Sequence, residues 1–143
     1  MDCRPSRVPA DLLVESVAVL TRTPGTLNAL LRELPDAWLD ATEGPGTWSP
    51  RFVVRHLIHG EQVDWLPRLR IILQHGTGRP FDPFDREEQG VGRSMAGLLD
   101  EFAALREANL MELRLLALTR DQLELQGSHP ALGLVTVRQL IAT

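Results

Sequence analysis

Apolar positions recur at helical spacing in four places along this chain of 143 residues, with polar and turn-forming residues between them. Leu13, Val17 and Leu20 fall along one side of the first stretch. Leu27, Leu30, Leu31 and Leu34 continue the stripe to Pro35. Thr23–Pro24 interrupts it with a capping residue followed by a proline suited to a first helical turn. The pattern predicts one bent helix, or two end-to-end pieces, over roughly 11–34. The connection 35–48 carries the turn cluster Gly44–Pro45–Gly46 and no strand alternation.

The strongest helix signal follows. Ser49 is placed to accept from free amides of a first turn. Pro50 suits the next position, where its missing N–H is harmless and its φ is already helical. Trp48 precedes the cap as a hydrophobic staple. This second helix runs from Pro50 to about Gln74, with Pro67 expected to kink it. Gly76 to Gly92 is a long polar connection with Asp85, Glu87 and Glu88 close together, of a length often associated with function. Ser94 caps a third helix whose apolar face is Met95, Leu98, Leu99, Phe102, Leu105, Leu110, Leu113 and Leu116, ending near Leu118. Thr119 and Gln122 have capping-box spacing and predict a short helical turn. Residues 127–133 read as a loop. Thr136 and Gln139 repeat the capping-box spacing and open a fourth helix with Val137, Leu140 and Ile141. No window predicts a strand.

Three long amphipathic helices and the start of a fourth make an all-α four-helix bundle, a single domain over 1–143. The second helix spans about 37 Å and the visible fourth only about 12 Å, at 1.5 Å rise per residue. Such a bundle leaves an apolar groove uncovered. The expectation is a truncated fourth helix, the other reading being a partner subunit in the groove.

Composition narrows the function classes. With 43% hydrophobic and 24% charged residues, the chain is ordinary globular material. A net charge of −4 argues against a nucleic-acid surface. All 15 basic residues are arginine, from which nothing functional follows. The lone Cys3 has no internal disulfide partner, no signal peptide is evident, and no segment reaches the roughly 18–20 apolar residues of a membrane span. A cytoplasmic location is the expectation.

Trp48–Ser49–Pro50 followed by His56–Leu57 and Glu61, then Arg68–Leu69 and Ile72–Leu73, resembles the second helix of the DinB-like four-helix family. The Thr23–Pro24 helix and the step His129–Pro130, Leu132–Gly133, Thr136–Val137, Gln139–Leu140 are similar to that family too, so the likeness covers the chain from about residue 11. It implies an up-down-down-up bundle, commonly a homodimer. It also implies a divalent metal, nickel or zinc, held by three histidines. One histidine comes from the second helix and two from an H-x-x-x-H pair on the fourth. Some members transfer small thiols or open thiol adducts. The second-helix ligand maps onto His56; the pair maps onto nothing in this sequence, which leaves the metal centre incomplete. Three imidazoles with open positions would lower the pKa of a bound water or hold a thiolate, whereas one imidazole holds a metal poorly.

Each candidate also has a structural reading. His56 is either a metal ligand or a core-edge histidine bonded to a carbonyl. His59 is close enough around the helix to reach the same ion, although the family pattern does not ask for it. His75, at the end of the second helix, suits the helix dipole, and His129 suits a turn. Glu61 and Asp64 are candidates to accept the other ring N–H of a ligating histidine, or else are solvated or paired with Arg68. Gly60 leaves room for a ligand or permits tight packing. Trp38, Trp48 and Trp65 read as core or rim anchors, and Cys3 lacks a nearby base. Two functions compete: a metal-dependent enzyme acting on small thiols or thiol conjugates, and a non-catalytic bundle that dimerises or binds a small apolar ligand.

Overall fold

A computed structural model describes residues 9–84 and 93–142. Cys3 and the acidic residues Asp85, Glu87 and Glu88 lie outside them. The elements are α1 (Pro9–Leu31), α2 (Asp36–Leu39), α3 (Pro50–Val63), α4 (Trp65–His75), α5 (Met95–Leu116) and α6 (Arg120–Leu123). A hairpin of β1 (Gln126–His129) and β2 (Gly133–Thr136) follows, then α7 (Val137–Ala142). α1, the α3–α4 pair, α5 and α7 are the four members of a helical bundle. Among the described residues no helix is long and apolar enough to cross a membrane.

The caps fall where side-chain chemistry places them. Ser49 accepts from the Phe52 amide and Ser94 from the Gly97 amide. Thr119 and Gln122 form a reciprocal capping box, and Thr136 and Gln139 exchange the same pair of bonds at the start of α7. Trp48 lies on Phe52 and His56, with ring centroids 4.9 and 4.7 Å apart.

Prolines act differently from the sequence expectation. α1 runs through Pro24 as one helix, and Thr23 caps nothing: its hydroxyl donates to the Val19 carbonyl one turn back. Pro24 has no N–H for the Leu20 carbonyl, and the Arg106 guanidinium takes that oxygen instead, at 3.0 Å. The second helix breaks at Asp64, three residues before Pro67, with φ −101° and ψ −97°. Pro67 therefore sits in the first turn of α4, where proline is tolerated.

The connection after α1 is pinned from one side. Arg51 on α3 bonds Asp40 at 2.6 Å, Asp36 at 2.7 Å and the Arg93 carbonyl at 3.2 Å. Its guanidinium holds the Asp40 carboxyl below the usual carboxylate range. Trp38 on α2 is 69% exposed, so it anchors no core, and Trp48 is half-exposed.

The hairpin corrects the loop expected at 127–133. Its register pairs Gln126 with Thr136 and His129 with Gly133, and Phe81 adds a backbone bond to the Ser128 carbonyl. Four-residue strands reading Gln-Gly-Ser-His and Gly-Leu-Val-Thr carry too little alternation to show as strands. Gly133 closes the short loop at φ 75°. Gly127 is buried where a Cβ would come within 2.6 Å of Ile72 and 2.7 Å of Phe81.

Two apolar clusters form. One joins α4, α5, the hairpin and α7 around Leu66, Leu69, Ile72, Leu110, Val137 and Ile141. The other joins α1, α2, α3 and α5 around Leu31, Leu39, Val54, Ile58, Leu98 and Phe102. Gly127→Ala forces Ile72 and Phe81 apart and is expected to destabilise by about 1–3 kcal/mol. An unchanged urea-unfolding midpoint would contradict this close packing.

Candidate functional site

Between the two clusters the core turns polar. Glu61, 3% exposed on α3, meets Arg106 on α5, with contacts to Oε1 of 2.8 Å from Nε and 2.6 Å from Nη2. Asn109 donates to Glu61 Oε2 and to the Glu61 carbonyl, both at 2.9 Å. Arg106 reaches Leu20 on α1 and stacks over the Phe102 ring, 4.9 Å from its centroid. Glu61 is therefore neither solvated nor paired with Arg68. Its long-range partner on α5 is invisible to local spacing.

This network forms one wall of a cleft of about 710 Å³ between α3, α4, the hairpin and α7. Leu57, Trp65, Leu134, Leu140 and Ile141 make its surface mainly apolar, and His56, Asp64, Arg68 and His129 add polar groups. That combination suits a small-molecule site. Gly60 also lines the cleft, and a Cβ built on it meets nothing within 4 Å. Gly60 opens space rather than permitting tight helix contact.

The histidines separate. His56 lines the cleft, its ring lying 4.7 Å from Trp48 and 5.1 Å from Phe84. His59 is buried beside Phe84, centroids 4.6 Å apart, and is not part of the cleft lining. Its Nε2 has no hydrogen-bond partner among the described residues. His75 ends α4, where the sequence placed it.

His129 does the turn-forming work its position before Pro130 suggested. Its Nδ1 accepts from the Ala131 and Leu132 amides at 3.0 and 3.1 Å. Its Nε2 faces Arg68 Nη1 at 3.2 Å. Asp64 pairs with Arg68 at 2.5 Å, the partner four residues on that the spacing suggested, and the Asp82 carbonyl accepts from Arg68 Nη2 at 3.2 Å. Burial, then the Arg68 charge, push the His129 imidazole below its ordinary value, with Asp64 opposing. Sequence reading singled out neither Arg106 nor Asn109. The hairpin that brings His129 to Arg68 was equally hidden.

These donors do not make a metal centre by themselves. Glu61 is engaged by Arg106 and Asn109, Asp64 by Arg68, and His129 Nδ1 by backbone. Among the described residues no group of three or more histidines, cysteines or acids is arranged to hold a metal ion.

The chain has known relatives. The sequence profile of the DinB superfamily matches residues 20–143, and the chain belongs to that superfamily. Among solved structures it is similar to YfiT from Bacillus subtilis, described as a probable metal-dependent hydrolase with an unusual four-helix bundle topology. The TM-score is 0.80 at 21% identity, over 99% of this chain and 82% of that one. The likeness establishes the four-helix-bundle fold; a small hairpin lies near the C-terminus of this chain. No curated protein matches.

Two outcomes are expected. Arg106→Met strands the buried Glu61 carboxylate and should cost about 3–5 kcal/mol, much of it recovered when Glu61→Leu is added. Equal unfolding midpoints for wild type and Arg106→Met would contradict the pairing. His129 favours its neutral form when folded, so the unfolded chain binds the extra proton. Its contribution to stability is present above the ordinary histidine value of about 6.5 and is lost as pH falls through the lowered native value. Thermal midpoints should rise with pH across that window, and His129→Asn should flatten the rise.

Proposed function

We propose that the cleft holds a small, largely apolar molecule, as the binding site of this DinB-superfamily chain. The observation that carries this reading is the 710 Å³ mainly apolar cleft with histidine, arginine and carboxylate groups set into its wall. Its volume lies in the range typical of small-ligand sites. Gly60 supplies the test, because it lines the cleft and a Cβ added there meets no atom within 4 Å. Wild-type protein should bind 1-octanol, read as amide shifts at Gly60, Leu134 and Leu140. Gly60→Leu should abolish those shifts while leaving stability equal or higher, since leucine favours helix over glycine. Shifts that persist in Gly60→Leu would place the ligand elsewhere.

A second reading, a metal-dependent enzyme acting on small thiols or thiol conjugates, is favoured by His56 on the cleft wall. Superfamily membership and the description of YfiT support it. Nickel or zinc is the metal this reading requires, with His56 as a ligand, His59 a weaker one, and Glu61 and Asp64 around them. The fourth-helix histidine pair that the family pattern calls for maps onto nothing in this sequence, and among the described residues no third donor is arranged beside these histidines, so that centre is incomplete here. Titration with zinc or nickel decides: about one equivalent bound, lost in His56→Ala, supports the enzyme reading. No binding in either protein leaves the small-molecule site standing alone.

A further inference from the structure

Within the cleft, one contact lacks an acceptor. The Ala131 and Leu132 amides donate to His129 Nδ1, so Nδ1 carries the lone pair and the proton of the neutral ring sits on Nε2. The opposite tautomer would set an N–H against two backbone N–H groups. Nε2–H then faces Arg68 Nη1 at 3.2 Å, and a guanidinium only donates. Two donors meet with no acceptor between them. Asp64 lies on Nη1 and the Asp82 carbonyl on Nη2, and His129 Nε2 contacts neither carboxylate nor carbonyl among the described residues. Arg68 is 5% exposed, and both residues line the cleft, so an oxygen that satisfies the pair arrives from the cleft.

We infer that the ligand of this cleft carries a carboxylate, one oxygen of which accepts from His129 Nε2–H and Arg68 Nη1–H together. The inference rests on the cleft being a ligand site. The apolar body of the ligand lies along Leu57, Trp65, Leu134 and Leu140. Charge does not draw it in, because Arg68 and Arg106 are balanced by Asp64 and Glu61. Recognition comes from directed, charge-assisted hydrogen bonds, which are stronger than neutral ones. The Asp64 carboxylate beside Arg68 favours a ligand head with one negative charge over a doubly charged phosphate. The depressed His129 value is consistent with a neutral ring acting as donor.

The test compares octanoate with 1-octanol, the same tail without the charge, by NMR titration of the full chain near neutral pH. Wild type should bind octanoate about tenfold more tightly, the gain from a charged acceptor over the neutral hydroxyl oxygen of octanol in the same place. His129→Asn keeps an acceptor for the turn amides, while its shorter amide ends before the Nε2 position. It should lose the octanoate preference and keep octanol affinity. Equal binding of the two probes by wild type overturns the carboxylate and leaves the cleft reading intact; a preference that survives in His129→Asn overturns the placement of the carboxylate on His129. Failure of both probes overturns the cleft reading and the carboxylate with it. An imidazole nitrogen spectrum with the His129 proton on Nδ1 overturns the inference without any ligand.

Discussion

The structure depends on a buried ion pair and on the proline that completes it. Glu61 and Arg106 face each other inside the bundle, where leaving either charge alone would cost several kcal/mol. Asn109 saturates the second carboxylate oxygen, and Arg106 spends a further N–H on the Leu20 carbonyl. That carbonyl is available because Pro24, one turn later in α1, has no N–H to give it. A residue that reads as a helix interruption thus opens an acceptor for another helix. The bonds are all met only when α1, α3 and α5 hold one register, so a polar requirement fixes the alignment of apolar faces that tolerate sliding.

The same network explains the place of the cleft. It separates the two apolar clusters, and from it α4, the hairpin and α7 continue with their own core. The break at Asp64 lets α4 leave the line of α3 and brings Asp64 and Arg68 to the wall. The hairpin contributes His129, and Gly60 keeps the floor open. The carboxylates that chain position marks as candidate neighbours of a metal-ligating histidine are held by arginines from α4 and α5.

Much of the architecture was legible before any coordinates. Ser49, Ser94, Thr119 and Thr136 each cap a helix in the structure, because capping is a bond between residues three apart. The apolar stripe on α5 is buried along its length for the same local reason, since periodicity alone sets which face turns inward. His129 as a turn residue and Asp64 with Arg68 also followed from short spacing. What stayed hidden was long-range or too short to show a period: Arg106 lies 45 residues from Glu61, and the strands are four residues each.

The sequence by itself determined the capped starts of α3, α5, α6 and α7, the inward faces and the bundle class, because these depend on contacts within a turn or two. Only the tertiary structure decided that α1 would run through Pro24, that Glu61 would pair with Arg106, and that His129 would meet Arg68 across a cleft. Each of those outcomes is settled by which distant group satisfies a buried donor or acceptor, and no local pattern records that choice.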